Sequence, residues 1–202
     1  MTSHQYNIAL VGCGKMGGAM LRSWLENDLI SNCYIIAPSG VPDEFKHYDC
    51  VLRTDADNIG KHQLDAIILA VKPQKIEEAC APFAHTLDAS VPIISIAAGK
   101  SIAKLEDNFK ENTAVIRTMP NTPSAVGKGA CVCIKNNHVN DAQQKLTTTL
   151  LETTGLVEWI DDETLMDAVT AVSGSGPAYI FYLIETLALA GDNWIHFAFR
   201  ER

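Results

Sequence analysis

Tyr6-Asn7-Ile8-Ala9-Leu10-Val11-Gly12-Cys13-Gly14-Lys15-Met16-Gly17-Gly18-Ala19-Met20-Leu21 decides the fold class of this chain. A short, mostly apolar run with strand character meets a G-x-G-x-x-G, and a helix-forming segment follows without a gap. In that context Gly12 permits the tight turn and Gly14 lets a pyrophosphate approach the backbone. Gly17 lets the helix pack closely on the sheet, and the helix N-terminus faces the anion. A glycine-rich turn that binds nothing is the bland alternative; strand before and helix after favour a dinucleotide.

Outward from this unit, apolar runs continue to alternate with amphipathic ones. Strands are expected at Tyr6–Val11, Cys33–Ala37, Cys50–Leu52, Ala66–Val71, Pro92–Ile96, Ala114–Met119, Gly129–Ile134 and Leu156–Ile160. Helices are expected at Met16–Asn27, Pro42–His47, Gln74–Phe83, Ser101–Phe109 and Asp141–Thr153. This alternation predicts an α/β, Rossmann-like fold with a parallel sheet covered on both faces. It stops near Asp161-Asp162-Glu163, whose carboxylates suit a helix N-terminus, and a predominantly helical region begins at Thr164. The expected division is residues 1–161 for the dinucleotide-binding domain, 162–191 for the start of a helical domain, and an atypical tail at 192–202.

Composition narrows the partners. The chain has 202 residues, 47% hydrophobic and 20% charged, with a formal net charge of −8. That acidity argues against nucleic acid and anionic membrane surfaces. No basic, apolar leader opens the chain, and no run reaches the roughly 18 apolar residues of a membrane span. The apolar stretch Tyr179–Ala190 is broken by Glu185 and reads as a packed helix. Six dispersed cysteines fit neither zinc spacing nor a disulfide framework, so no metal is expected. Cys131 and Cys133 alternate with Val132 and Ile134 as strand residues in a reducing cytoplasm.

The end of the second strand bears on the choice of cofactor. An acidic residue there favours NAD, but here Ala37-Pro38-Ser39-Gly40 follows and no carboxylate appears before Asp43. Ser39 therefore favours NADP, with NAD as the second candidate, although no arginine stands beside it in sequence. A Pro-Ser-Gly turn whose serine bonds its own backbone is the alternative. Three further segments end strands where open α/β sheets bind ligands: Ala70-Val71-Lys72-Pro73, Ser95-Ile96-Ala97-Ala98-Gly99 and Met119-Pro120-Asn121-Thr122-Pro123. Small Ala97 and Ala98 leave room for a flat ring. The six histidines are scattered, and Met16, Met20, Met119 and Met166 read as core. Ser173 and Ser175 form no nucleophile elbow and remain only weak catalytic candidates.

Val172-Ser173-Gly174-Ser175-Gly176-Pro177-Ala178-Tyr179 places glycines and a proline where a helix begins, each disfavoured inside one. Such a stretch implies close backbone approach to another helix or a ligand. With G-C-G-K-M-G-G-A at 12–19, A-V-K-P-Q at 70–74, S-I-A-A-G at 95–99 and R-x-M-P-N-T-P at 117–123, it resembles pyrroline-5-carboxylate reductase over almost all of residues 6–190. The resemblance implies NAD(P)H-dependent reduction of 1-pyrroline-5-carboxylate to proline, the last step of proline biosynthesis. It assigns Gly12, Cys13, Gly14, Lys15, Met16 and Gly17 to the pyrophosphate loop and Ser39 to the adenosine ribose. Asn58, Ala70, Val71, Lys72, Pro73 and Asn121 are further cofactor positions, and Ala97 and Ala98 lie beside the nicotinamide. It also implies a homodimer or larger homo-oligomer built by the helical region.

One departure follows from the same resemblance. The family carries a later S-P-G-G-T-T motif, whose threonine and amides bind the imine and carboxylate, and this chain has none. The reading is of a truncated or frame-shifted product whose catalytic residues stay unassigned. A non-catalytic NADP-binding remnant is the alternative. A reductase of the β-hydroxyacid dehydrogenase kind is a third, opposed by the lack of any lysine after Lys145.

Overall fold

Eight strands form one sheet in the order β3-β2-β1-β4-β5-β6-β7-β8. They are β1 (Tyr6–Val11), β2 (Ile30–Ile36), β3 (Val51–Arg53), β4 (Ala66–Leu69), β5 (Ile93–Ser95), β6 (Val115–Met119), β7 (Gly129–Lys135) and β8 (Gly155–Trp159). The computed structural model describes residues 5–200, with side chains described as far as Asp192. Every neighbouring pair is parallel except β6 and β7, which run antiparallel with Thr118 opposite Cys133. That exception corrects the expected all-parallel sheet. The link Pro120–Lys128 is too short for a crossover helix, so the chain must turn back beside β6.

Burial follows the two-residue period of the strands. Ile8 and Leu10 face one side with Met20, Leu21, Trp24, Leu146 and Leu150. Ala9 and Val11 face the other with Ile67, Leu69, Ile76, Phe83 and Leu105. Each fully buried aliphatic side chain contributes about 2 kcal/mol. Helices α1 (Lys15–Glu26) and α4 (Asp141–Glu152) lie on the first face. The Trp24 indole Nε1 donates to the Leu150 carbonyl at 2.9 Å, which joins them. A reciprocal cap opens α4: Asn140 Oδ1 accepts from the Gln143 amide, and Gln143 Oε1 accepts from the Asn140 amide, both at 2.9 Å.

The second face carries α2 (Ile76–Cys80) and α3 (Ile102–Glu106), both shorter than expected. Pro73–Lys75 is a 3₁₀ turn leading into α2, and Ser101 caps α3 by accepting the Lys104 amide. The helix expected at Pro42–His47 is a 3₁₀ turn, Asp43–Phe45, and a 3₁₀ segment at Ala56–Lys61 had no counterpart in the sequence reading. Its Asn and Gly residues hide helical periodicity.

Beyond β8, the Asp162 carboxylate accepts the Thr164 amide at 2.9 Å and opens a helical run. It comprises α5 (Met166–Val169), a π turn at Thr170–Gly174 and α6 (Gly176–Arg200). The π turn is closed by Ser175, whose amide and hydroxyl both donate to the Thr170 carbonyl. A Cβ on Gly174 would lie 2.5 Å from Met119 Cε, so the close approach required there is to the end of β6. Tyr179–Ala190 is helical, as expected, and the partner that would pack against it is not part of this single chain. Within this chain its apolar residues are exposed, Tyr182 at 72% and Leu187 at 63%. Nothing in the rest of the described chain covers them. The segment read as a tail continues helical to Arg200; side chains Trp194, Phe197 and Phe199 lie outside the described ones. No helix among the described residues is long and apolar enough to cross a membrane.

Candidate dinucleotide site

Strand order reverses between β1 and β4, and the ends of these strands meet at one edge. The Gly12 amide donates to Ile36 O at 2.9 Å, Ala70 N to Val11 O at 2.8 Å, and Ile96 N to Leu69 O at 3.1 Å. These bonds bring the segments after β1, β2, β4 and β5 into one crevice, where open α/β sheets bind ligands.

The glycine loop sits in that crevice under tight steric control. Gly12 adopts φ +89°, and a Cβ there would lie 2.6 Å from the Ala70 carbonyl oxygen. A Cβ on Gly17 would lie 2.7 Å from Gly12 O and 3.1 Å from Ala70 Cβ, so α1 can rest directly on β1 and β4. Gly14 differs, because nothing lies within 4 Å of its absent side chain. It is the N-cap of α1 without a side-chain cap, and the first turn of α1 holds no acidic residue. Open space above Gly14, unsatisfied amides and the positive end of α1 together fit a pyrophosphate.

Two hollows flank the loop. One of about 680 Å³ is lined by Cys13, Gly14, Lys15, Met16, Arg22 and Thr122 among others. The other, about 440 Å³, lies between Val11, Ile36, Pro38, Ala56, Val71 and Lys72. Cys13, Lys15, Met16, Val71 and Lys72 thus line the hollows. Desolvation, reinforced by the charge of Glu44, pushes the Cys13 thiol up to about 11. It is therefore a neutral wall rather than a nucleophile.

Other sequence-selected residues have mixed positions. Ser39 is exposed in the turn after β2, closed by the Gly40 amide on Ala37 O at 2.9 Å. Its hydroxyl makes no hydrogen bond with the described residues, unlike the self-bonded serine of the alternative reading. Asn58 lies in the 3₁₀ segment and accepts from Lys61 Nζ. Ala97 is buried and Ala98 exposed at the end of β5, and Pro73 opens the 3₁₀ turn before α2. Asn121 is engaged at both ends of its amide: Oδ1 accepts from the Ala130 amide at 2.9 Å and Nδ2 donates to Ser173 O at 3.2 Å. The Ser173 hydroxyl is shielded without a partner among the described residues, and Ser175 bonds Thr170. Among the described residues no three potential metal-ligating side chains converge.

Sequence reasoning missed two features. Arg117, inside the R-x-M-P-N-T-P stretch, is buried and paired with Glu163 at 2.7 Å. Arg53, distant in sequence from Ser39, stands beside the Ser39-Gly40 turn: a Cβ on Gly40 would lie 3.8 Å from an Arg53 guanidinium nitrogen. The statement that no arginine accompanies Ser39 holds for the sequence and fails in space. Pairing of β2 with β3 brings them together, which no local pattern signals.

A glycine loop of this geometry, at the switch point where the strand order runs 3-2-1-4-5-6, defines a dinucleotide-binding fold of Rossmann type. In agreement, residues 7–99 match the family described as NADP oxidoreductase, coenzyme F420-dependent. Residues 163–193 match the pyrroline-5-carboxylate reductase dimerisation family. The chain is 43% identical over 128 residues to the pyrroline-5-carboxylate reductase of Pseudomonas aeruginosa, covering 63% of this chain and 47% of that protein. It is 32% identical over 184 residues to the Haemophilus influenzae enzyme of the same name, covering 91% and 68%. The structure of Plasmodium falciparum pyrroline carboxylate reductase with NADP bound superposes at TM-score 0.80 and 28% identity, over 95% of this chain and 71% of that one. The chain belongs to the pyrroline-5-carboxylate reductase family. Its match spans between about half and about two thirds of those relatives' length.

Proposed function

We propose that this chain performs the NADPH-dependent reduction of 1-pyrroline-5-carboxylate to L-proline, the last step of proline biosynthesis. The observation that carries the reading is the open space above Gly14 at the uncapped start of α1, at the switch point of the sheet. Family membership supplies the substrate class.

In this reading the amides after Gly12 and the N-terminus of α1 hold the pyrophosphate, with Lys15 adding a positive charge at its rim. Ser39 and Asn58 meet the adenosine half. Ala70, Val71, Lys72 and Pro73 border the path between the two halves of the dinucleotide. Ala97 and Ala98 face the nicotinamide end, where their small size admits a flat ring. Asn121 acts there by fixing the backbone of Ser173 against Ala130. The bound cofactor supplies a hydride to the C=N carbon of the substrate, while a proton completes the ring nitrogen. The chain's own contribution is orientation, which for a cofactor reaction supplies most of what protein must add.

Residues 1–161 form the dinucleotide-binding unit in this proposal, and residues from 162 onward the oligomerising one. The exposed apolar face of α6 and the dimerisation match at 163–193 support a homodimer. The proposed compartment is the cytoplasm.

The test follows NADPH absorbance on addition of 1-pyrroline-5-carboxylate, with proline identified as product. Substrate-dependent oxidation with stoichiometric proline is expected. NADPH binding without turnover would leave a cofactor-binding protein and overturn the catalytic reading.

A further inference from the structure

We propose that Arg53 is the residue of this chain that selects NADP over NAD, by holding the 2′-phosphate against the Ser39-Gly40 turn. The proposal rests on the glycine loop being a dinucleotide site, as argued above.

Three arginines have described side chains, and two are committed. Arg22 pairs with Glu44 and lies over the Phe45 ring, 5.8 Å from its centroid. Arg117 is paired with Glu163. Arg53 alone makes no hydrogen bond, ion pair or ring contact with the described residues, and it is exposed. An unpaired guanidinium is ordinary on a surface; its location here is not. Arg53 ends β3 and sits opposite Ile35 in β2, whose C-terminal end carries the adenosine ribose in folds of this kind. Just beyond that strand end, Gly40 is held at φ +72° with its absent Cβ position 3.8 Å from the Arg53 guanidinium and 3.9 Å from Arg53 Cδ.

Three further features suit a phosphate dianion at this spot. The Ser39 hydroxyl has no partner among the described residues and can donate. The turn lacks the carboxylate that would bind the ribose 2′-hydroxyl of NAD and repel a 2′-phosphate. A guanidinium offers a planar fork matched to phosphate oxygens, and it stays charged at any pH the enzyme meets. Without the 2′-phosphate, Arg53 simply remains hydrated. The contact therefore adds affinity for NADPH rather than rejecting NADH.

Fluorescence titration of the full chain with NADPH and with NADH tests this in the wild type, Arg53→Ala and Arg53→Lys. Arg53→Ala is expected to raise the NADPH dissociation constant about 10–100-fold while leaving that for NADH within about 2-fold, with Arg53→Lys intermediate. Unchanged NADPH affinity, or equal weakening toward both dinucleotides, would overturn the role of Arg53. A second measurement does not depend on any variant folding. On the wild type, 2′,5′-ADP should displace NADPH at least about 10-fold more effectively than 5′-AMP, and equal potency would also overturn the proposal. Failure of the wild type to bind either dinucleotide would instead sink the dinucleotide reading itself.

Discussion

Arg117 on β6 donates to Glu163 Oε1 at 2.7 Å, and the same oxygen accepts the amide of Ile102 at 2.8 Å. One carboxylate thus ties the start of the C-terminal helical run to an interior strand of the sheet and to the first residue of α3. The guanidinium side of the pair is nearly inaccessible, with 7% of the Arg117 side chain exposed against 32% for Glu163.

Removing Glu163 leaves the Arg117 guanidinium buried and uncompensated, and Glu163→Ala is expected to cost about 3 kcal/mol in urea unfolding. Arg117→Ala should cost less, because the Glu163 carboxylate is a third exposed and keeps the Ile102 amide. The double variant should cost less than the sum of the two. Strict additivity in the double-mutant cycle would show that the pair carries no coupling.

Two glycines of the same loop should respond oppositely. Gly12→Ala places a methyl group 2.6 Å from a backbone oxygen at positive φ, so it is expected to destabilise the fold by at least about 2 kcal/mol. Gly14→Ala meets no protein atom and should leave the melting temperature within about 2 °C. It should nevertheless weaken NADPH about 10-fold or more, because the added methyl occupies the space the pyrophosphate needs. A fluorescence titration in which Gly14→Ala binds NADPH as the wild type does would count against that placement.

The cysteine thiols set a pH dependence on the alkaline side. Desolvation pushes Cys80 up to about 12 and Cys13, with help from Glu44, to about 11, against 9.0 for a free thiol; Cys33 is raised as well by burial. In the unfolded chain these groups lose their protons near pH 9, whereas in the folded chain they keep them. The folded state then binds more protons, and stability must fall as pH rises from about 9 toward 11. Below pH 8 both states are protonated and the contribution is complete. Urea midpoints that stay level from pH 8 to 11 would contradict this. Alkylation of native Cys13 at pH 8 should also run about 100-fold slower than that of a free thiol, since its thiolate is that much scarcer.

Asn121 joins the loop after β6 to β7 and to the π turn before α6. Asn121→Ala leaves the Ala130 amide without its acceptor in a half-buried setting and should cost about 1 kcal/mol. Because Asn121 also fixes Ser173, turnover should fall more than NADPH affinity does. A raised KM for NADPH with kcat unchanged at saturating NADPH would instead place Asn121 directly on the cofactor.

The apolar surface of α6 makes self-association measurable. Leu187, 63% exposed in the single chain, is expected to be covered in the dimer. Leu187→Asp should weaken sedimentation-derived dimer affinity about 100-fold, in line with the loss of one partly covered leucine from each of two subunits. A wild-type monomer at high concentration would defeat the expectation outright.

How much of this was legible in advance follows from which interactions are local. Tyr6–Leu21 carries its own instructions, since alternating burial, three spaced glycines and an uncapped helix start all act within a few residues of each other. All eight strands were readable to within a few residues for the same reason, as was the helical run opened by Asp162. The antiparallel return of β7 was hidden because strand direction depends on the length of a link, and Pro120–Lys128 reads as an ordinary turn. The exposure of α6 in the single chain agrees with a helical region that the family resemblance gives to dimerisation, although apolar composition alone says only that a helix will be covered and not by what.

The sequence by itself determined the strands, their two apolar faces and the glycine loop, because hydrophobic periodicity and backbone sterics are properties of neighbouring residues. Only the tertiary structure decided that Arg53 stands beside Gly40, that Arg117 and Glu163 pair, and that Asn121 is engaged by Ala130 and Ser173. Those are meetings between distant segments, fixed by strand order and register, and a pattern along the chain holds no record of which strand edges end up side by side.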